Sequence, residues 1–178
     1  MNNTQTLLGT LILGSILTFG FYGVFVNAQD SETYVKDDLY IEECGACHLA
    51  YAPALMPHQS WVGIMQGLED HFGENAELDA EGSAHISKYL AQYALGTGGP
   101  STMSQLARNL PQNPPLRVTE FPAFLDAHDV VKQQLEMQEW PDGFLSPCRD
   151  CHHQAADARF EKELLHPGYG PSFPSSPN

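Results

Sequence analysis

Between residues 60 and 73, in SWVGIMQGLEDHFG, apolar side chains recur at Trp61, Ile64, Met65, Leu68 and Phe72. This is the spacing of one helix face. Ser60 offers an N-cap hydroxyl and Gly73 suits the C-terminal stop. A second helical pattern runs through TEFPAFLDAHDVVKQQLEM, with Thr119 as a cap and Pro122 tolerated in the first turn. Here Phe121, Phe124 and Leu125 share a face with His128 at i, i+3, i+4, i+7. A third, LDAEGSAHISKYLAQYALG, carries its stripe at Ile86, Tyr89, Leu90 and Tyr93. No strand-like alternation of useful length occurs and no segment repeats, so the pattern predicts an all-α fold. LPQNPPLR, residues 110–117, reads as a proline-rich connector dividing the chain.

The ends differ from this middle. Residues 7–26, LLGTLILGSILTFGFYGVFV, hold no charge, and Val26 and Ala28 stand at the small-residue positions of a signal-peptidase site. Cleavage after Ala28 is favoured, although MNNTQT lacks the usual lysine or arginine; twenty apolar residues also suffice for an uncleaved anchor. Either reading places the remainder outside the cytoplasm, in the periplasm or an equivalent exported space. After His166 the sequence PGYGPSFPSSPN has the composition of a flexible tail. The resulting division is a signal or anchor (1–28), a first domain (29–110), a second (111–166) and a tail (167–178).

Charge narrows the partners. The 178 residues include 22 Asp and Glu against 8 Lys and Arg, a formal net charge of −14. Nucleic acid is excluded, because phosphate binding needs a basic face. Up to Leu110 there are 12 acids and 3 bases, and after it 10 and 5, so the acidity is no local tail. It favours solubility and a basic partner surface.

The chemistry lies in the cysteines. Cys44, Cys47 and His48 form C-x-x-C-H in ECGACH, and Cys148, Cys151 and His152 repeat it in PCRDCH, which together use all four cysteines. Four cysteines in an exported chain would ordinarily suggest disulfides, and C-x-x-C alone a redox pair or half a zinc site. The histidine directly after each second cysteine decides for covalent haem c. The two thiols add to the haem vinyl groups, and the histidine becomes the proximal iron ligand. Cysteines three apart share one side of a helical turn, and the next residue projects from it.

Six histidines remain for the opposite face of each iron. His71 lies seven after Ile64 and three after Leu68, and His128 lies on the Phe121 stripe. A buried imidazole needs a partner for its nitrogen, and an iron would supply it. His71 is therefore assigned to the first haem and His128 to the second, with the swapped pairing as an alternative. His58 falls in a turn, His85 at a helix edge and His166 before the tail. His153 is a rival as ligand to a neighbouring haem. Met103 is a weaker axial candidate, and Met56 and Met65 read as core.

The stretches CGACHLAYAPALMPHQSW, LEDHFGENAELD, LRVTEFPAFLDAH and CRDCH resemble the small exported dihaem cytochromes c of the DHC family, across roughly residues 40–153. The resemblance implies a class I cytochrome c-like first haem domain and a smaller, less regular second one. It implies two covalently attached haems with His48, His71, His128 and His152 as iron ligands. It also implies an electron carrier rather than an enzyme. The implied partner is a monohaem oxygen-binding cytochrome or a membrane b-type cytochrome. The proline-rich tail departs from the family pattern. Against this stand a dihaem peroxidase and a haem ligand sensor or carrier, each of which needs an open axial position.

Overall fold

The computed structural model describes residues 34–97, 101–141 and 143–166. The segment at 7–26 read as an export signal or anchor, and the tail after His166, therefore lie outside the described residues. Among the described residues there are five α-helices, six 3-10 turns and no strand, which agrees with the all-α expectation. Three isolated bridges join Pro57 to Leu95, His71 to Glu74 and His152 to Leu165. No helix among the described residues is long and apolar enough to cross a membrane.

Helix α1, Asp38–Cys44, starts where Asp37 accepts from Tyr40 N at 2.9 Å, and it delivers Cys44 at its last position. A 3-10 turn, Pro53–Leu55, leads to α2, His58–Gln66. The sequence pattern put this helix at 60–73, with Ser60 as its cap. The Ser60 hydroxyl is instead buried and donates to the Pro115 carbonyl at 2.7 Å, and Pro57 takes the N-cap position. The helix stops at Gly67, six residues before Gly73, and a 3-10 turn, Leu68–Asp70, follows. Gly73 has a left-handed φ of 102° and serves the turn after that segment.

Helix α3, Ala80–Tyr93, matches its expected stripe: Ile86, Tyr89 and Leu90 are buried. Its first turn is capped by Asp79, which accepts from Gly82 N at 2.7 Å. After the 3-10 turn Ser101–Ala107, the connector crosses α2. A Cβ built at Gly63 would meet Leu116 Cδ2 at 2.7 Å, so the absent side chain lets the connector lie close. Thr119 is not a helix cap: it lies in the 3-10 turn Val118–Glu120, and Phe121 caps α4, Pro122–Gln134. Pro122 at the start of α4 costs no helical hydrogen bond. The single-turn helix α5, Cys148–Cys151, and the 3-10 turns Ala155–Asp157 and Lys162–Leu164 complete the order.

Helices α2 and α3 pack together, with α1 on α3 and α4 on the turns before it. Their shared core holds Tyr40, Trp61, Ile86, Leu90 and Phe121, with Met56 and Met103 also buried and Met65 at its margin. Val118, Phe121 and Ala158, from beyond the connector, belong to the same buried cluster. Burying each large apolar side chain contributes roughly 1.5–3 kcal/mol before entropy is counted. The polar tips inside are satisfied: Trp61 Nε1 donates to Pro53 O at 2.8 Å, Tyr89 Oη to Val35 O at 2.8 Å, and Tyr40 Oη to Tyr51 O at 2.6 Å.

Candidate functional site

The two C-x-x-C-H motifs are shaped differently. In the second, Cys148 to Cys151 is one helical turn, and His152 N closes it onto Cys148 O at 2.8 Å, as the spacing argument required. In the first, only Cys44 is helical; the chain leaves α1 at Gly45, and Cys47 and His48 lie in the turn beyond. All four cysteines are free of disulfide bonds. Burial, then Glu43, pushes the Cys44 thiol up to about 11, and burial raises Cys148 and Cys151 as well. Neutral thiols are poor nucleophiles for disulfide exchange. Among the described residues no three His, Cys, Asp or Glu side chains converge as a metal site, so the two pairs do not form a four-cysteine zinc cluster.

The histidines pair across the fold. His71, at the end of the Leu68–Asp70 turn, brings its ring centre to 6.1 Å from that of His48, with planes 21° apart. His128, on α4, stands 6.2 Å from His152, with planes 74° apart. Each histidine thus meets the nearer motif rather than the swapped one. A metal–imidazole bond is about 2 Å and the ring centre lies roughly an ångström further on, so two imidazoles on opposite sides of one ion stand roughly 6 Å apart. Both pairs leave that gap.

His71 reaches its position by a route the periodicity did not foresee. It is not on the helical stripe; it follows a 3-10 turn and is held by paired backbone bonds with Glu74, at 2.7 and 3.3 Å. The next residue, Phe72, adopts a left-handed φ of 56° and sets its ring edge-on to His71 at 4.8 Å. Arg117 lies over the other part of this arrangement, its guanidinium carbon 3.8 Å from the Phe72 ring centre.

The ring nitrogens are oriented by backbone carbonyls. His48 Nδ1 meets Leu49 O at 2.7 Å and His128 Nδ1 meets Phe124 O at 2.7 Å. Each bond, with Nδ1 donating, leaves Nε2 with its lone pair, the form a metal takes. Among the described residues His152 Nδ1 is buried with no hydrogen-bond partner, a costly condition for a polar atom. Burial, His48 and Arg117 together hold His71 below the ordinary imidazole range. Burial also lowers His128, against the Phe124 bond, and burial with the neighbouring His128 takes His152 down to about 4. Imidazoles kept neutral are ready ligands. Aromatic walls complete both sites: Phe124 stacks on His128 at 4.0 Å, and Phe160 stands edge-on to His152 at 5.3 Å. The donor set therefore fits two covalently held haems with two imidazoles each.

The remaining candidates lie elsewhere. His58 is exposed at the start of α2, and His85 is exposed and bonded to Asp37 at 2.7 Å. His153 is exposed and its ring meets that of His166 at 5.1 Å. Met103 is buried in the core. Four residues that pattern reasoning missed line the sites: Tyr51, Phe72, Arg117 and Phe160. For Phe72 the sequence showed a place on an apolar stripe, and for the other three only their aromatic or cationic type.

The family model for dihaem cytochrome c matches residues 40–160. A diheme cytochrome c from Rhodobacter sphaeroides is similar in structure with a TM-score of 0.57 and 32% identity, covering 72% of this chain and 99% of that one. A diheme cytochrome c from Shewanella baltica OS155 is similar with a TM-score of 0.55 and 32% identity, covering 75% of this chain and 94% of that one. No curated protein matches the sequence.

Proposed function

The chain belongs to the dihaem cytochrome c family, whose members hold two haem groups, and from this we propose that it is an electron carrier with two bis-histidine haems. Cys44 and Cys47 would hold one group and Cys148 and Cys151 the other, each through thioether bonds. His48 with His71, and His128 with His152, would fill the axial positions. The observation that carries this reading is the pair of imidazole gaps, 6.1 and 6.2 Å. When bound, each haem supplies a one-electron iron couple.

The chain's own residues then define what kind of site this is. Two imidazoles per iron leave no position for a substrate or a gas, which separates a carrier from a peroxidase or a sensor. Bonds from His48 Nδ1 and His128 Nδ1 to backbone carbonyls fix which nitrogen faces inward. Phe124 and Phe160 limit water around the second pair. Histidine in place of methionine at the sixth position lowers the potential. We assign the carrier to the periplasm or an equivalent exported space, following the uncharged segment at 7–26. Its partner would be a monohaem cytochrome or a membrane b-type cytochrome with a basic docking face, and their association should weaken as salt rises.

The deciding experiment has two measurements. A pyridine haemochrome assay should count two haems per chain. The dithionite-reduced visible spectrum should then be unchanged by carbon monoxide. A shift in either haem's bands would mean an open axial position and would replace the carrier reading with the enzyme or sensor one.

A further inference from the structure

Two histidines outside the proposed iron-ligand set are held together beside the second motif. His153 directly follows His152 and is exposed. His166 is half-buried and returns to the motif from further along the chain. Its backbone N–H donates to Cys151 O at 2.8 Å, and the neighbouring Leu165 bridges to His152. The second motif therefore fixes where His166 sits. The two imidazole centres stand 5.1 Å apart, with planes at 60°.

That separation differs from those of the two iron-facing pairs. Imidazoles on opposite sides of one ion have centres roughly 6 Å apart; at the tetrahedral angle, with the same bond lengths, the centres are roughly 5 Å apart. His153 and His166 thus stand as two neighbouring ligands of a tetrahedral ion would stand. The nitrogen is also in the right form. Arg159 Nη1 donates to Gln154 Oε1 at 2.7 Å, which leaves the Gln154 amide N–H to donate to His153 Nε2 at 3.1 Å. His153 Nε2 then carries a lone pair and no proton, the state a metal takes. An incoming ion replaces that one solvent-exposed bond.

The donors select the class of ion. Neutral imidazoles suit zinc, copper and nickel, whereas magnesium and calcium take oxygen ligands. Among the described residues no third His, Cys, Asp or Glu converges on such a site. Water therefore completes the tetrahedron, and the ion is exchangeable rather than structural. The formal net charge of −14 draws cations to the surface.

We propose that His153 and His166 form a surface site for an exchangeable divalent ion of the zinc class, and that an ion held there raises the potential of the second haem. A positive charge one residue from His152 favours the ferrous iron over the ferric. The binding site stands independently of the carrier reading; the effect on the potential rests on it.

The test uses the full holoprotein, freed of metal by a chelator, and the variants His153→Ala and His166→Ala. Calorimetric titration with zinc chloride should show a site for one ion per chain in the wild type, weakened at least tenfold in each variant. Spectroelectrochemical titration should show one of the two potentials rising with zinc in the wild type and neither rising in His153→Ala. Zinc affinity unchanged in both variants would place the ion elsewhere and overturn the site. Zinc bound at the site with both potentials unmoved would overturn the link to the haem. If His166→Ala fails to load both haems, His153→Ala alone decides. Failure of the carrier reading looks different, because the wild type would then carry fewer than two haems or bind carbon monoxide, while the calorimetric result would stand.

Discussion

The ring planes of His128 and His152 stand 74° apart at a centre separation of 6.2 Å, nearly perpendicular, whereas those of His48 and His71 are only 21° from parallel. If each pair holds one iron, the two irons experience different ligand fields. Near-parallel imidazoles separate the iron d orbitals and give a rhombic low-spin spectrum. Near-perpendicular ones leave two orbitals almost degenerate and give a strongly anisotropic signal at lower field. Electron paramagnetic resonance of the oxidised protein should therefore show two unlike low-spin species in equal amounts. A single signal for both irons would contradict these ring angles.

Removing one distal histidine should open one iron only. His71→Ala and His128→Ala should each bind carbon monoxide in the reduced state with about half of the haem absorbance, each haem being held separately by its own cysteines. Loss of both low-spin signals from a single substitution would mean that the pairs are not independent. His153→Ala, at an exposed histidine paired with His166, should leave the spectrum unchanged.

Arg117 should influence the first site alone. Its guanidinium stacks on Phe72, which packs against His71, and its charge is one of the causes of the lowered His71 pKa. A fixed positive charge favours the ferrous iron, so Arg117→Leu should lower the potential of the first haem and leave the second near its wild-type value. Loss of the cation–π contact should also cost about 0.5–1 kcal/mol in urea unfolding. Arg117→Lys should restore the potential more than the stability, because an ammonium keeps the charge without the planar stack. Spectroelectrochemical titration and denaturation curves separate the two effects.

The cap of α1 should make part of the stability acid-sensitive. Burial works against the charge of Asp37, but the bonds from Tyr40 N and His85 outweigh it and hold the carboxyl below its usual value of 3.8. A depressed carboxyl contributes stability that is present above the unfolded pKa and is lost as pH falls through the folded one. Urea midpoints of wild type and Asp37→Asn should thus differ at neutral pH and draw together as the pH falls below the usual carboxyl value of 3.8 and on through the lowered folded one. Asp37→Ala, which also removes the cap, should cost about 0.5–2 kcal/mol at neutral pH.

Parts of this molecule were readable one residue at a time. The C-x-x-C-H motifs are contiguous, and the second folds as its spacing dictates. The α3 stripe is local and was legible in the sequence; its Asp79 cap is equally local but emerges only from the bond to Gly82 N. Apolar periodicity points to His71, yet the helix ends at Gly67 and a 3-10 turn with the Glu74 bridge places the residue beside His48. Ser60 looked like a cap because hydroxyls favour that position, but its partner is Pro115, 55 residues away. Tyr51 and Arg117 left no pattern at all, since what gives each its place is contact with side chains distant in sequence.

The shared core has a consequence for the integrity of the chain. Val118, Phe121 and Ala158 are buried among Trp61, Ile86 and Leu90, and the Lys36 ammonium meets the Asp157 carboxylate at 2.6 Å. A protease cut in the connector would therefore break a covalent bond without freeing either piece. The nicked molecule would travel as one particle in gel filtration and separate only in denaturant, as two fragments that had been clasping each other throughout.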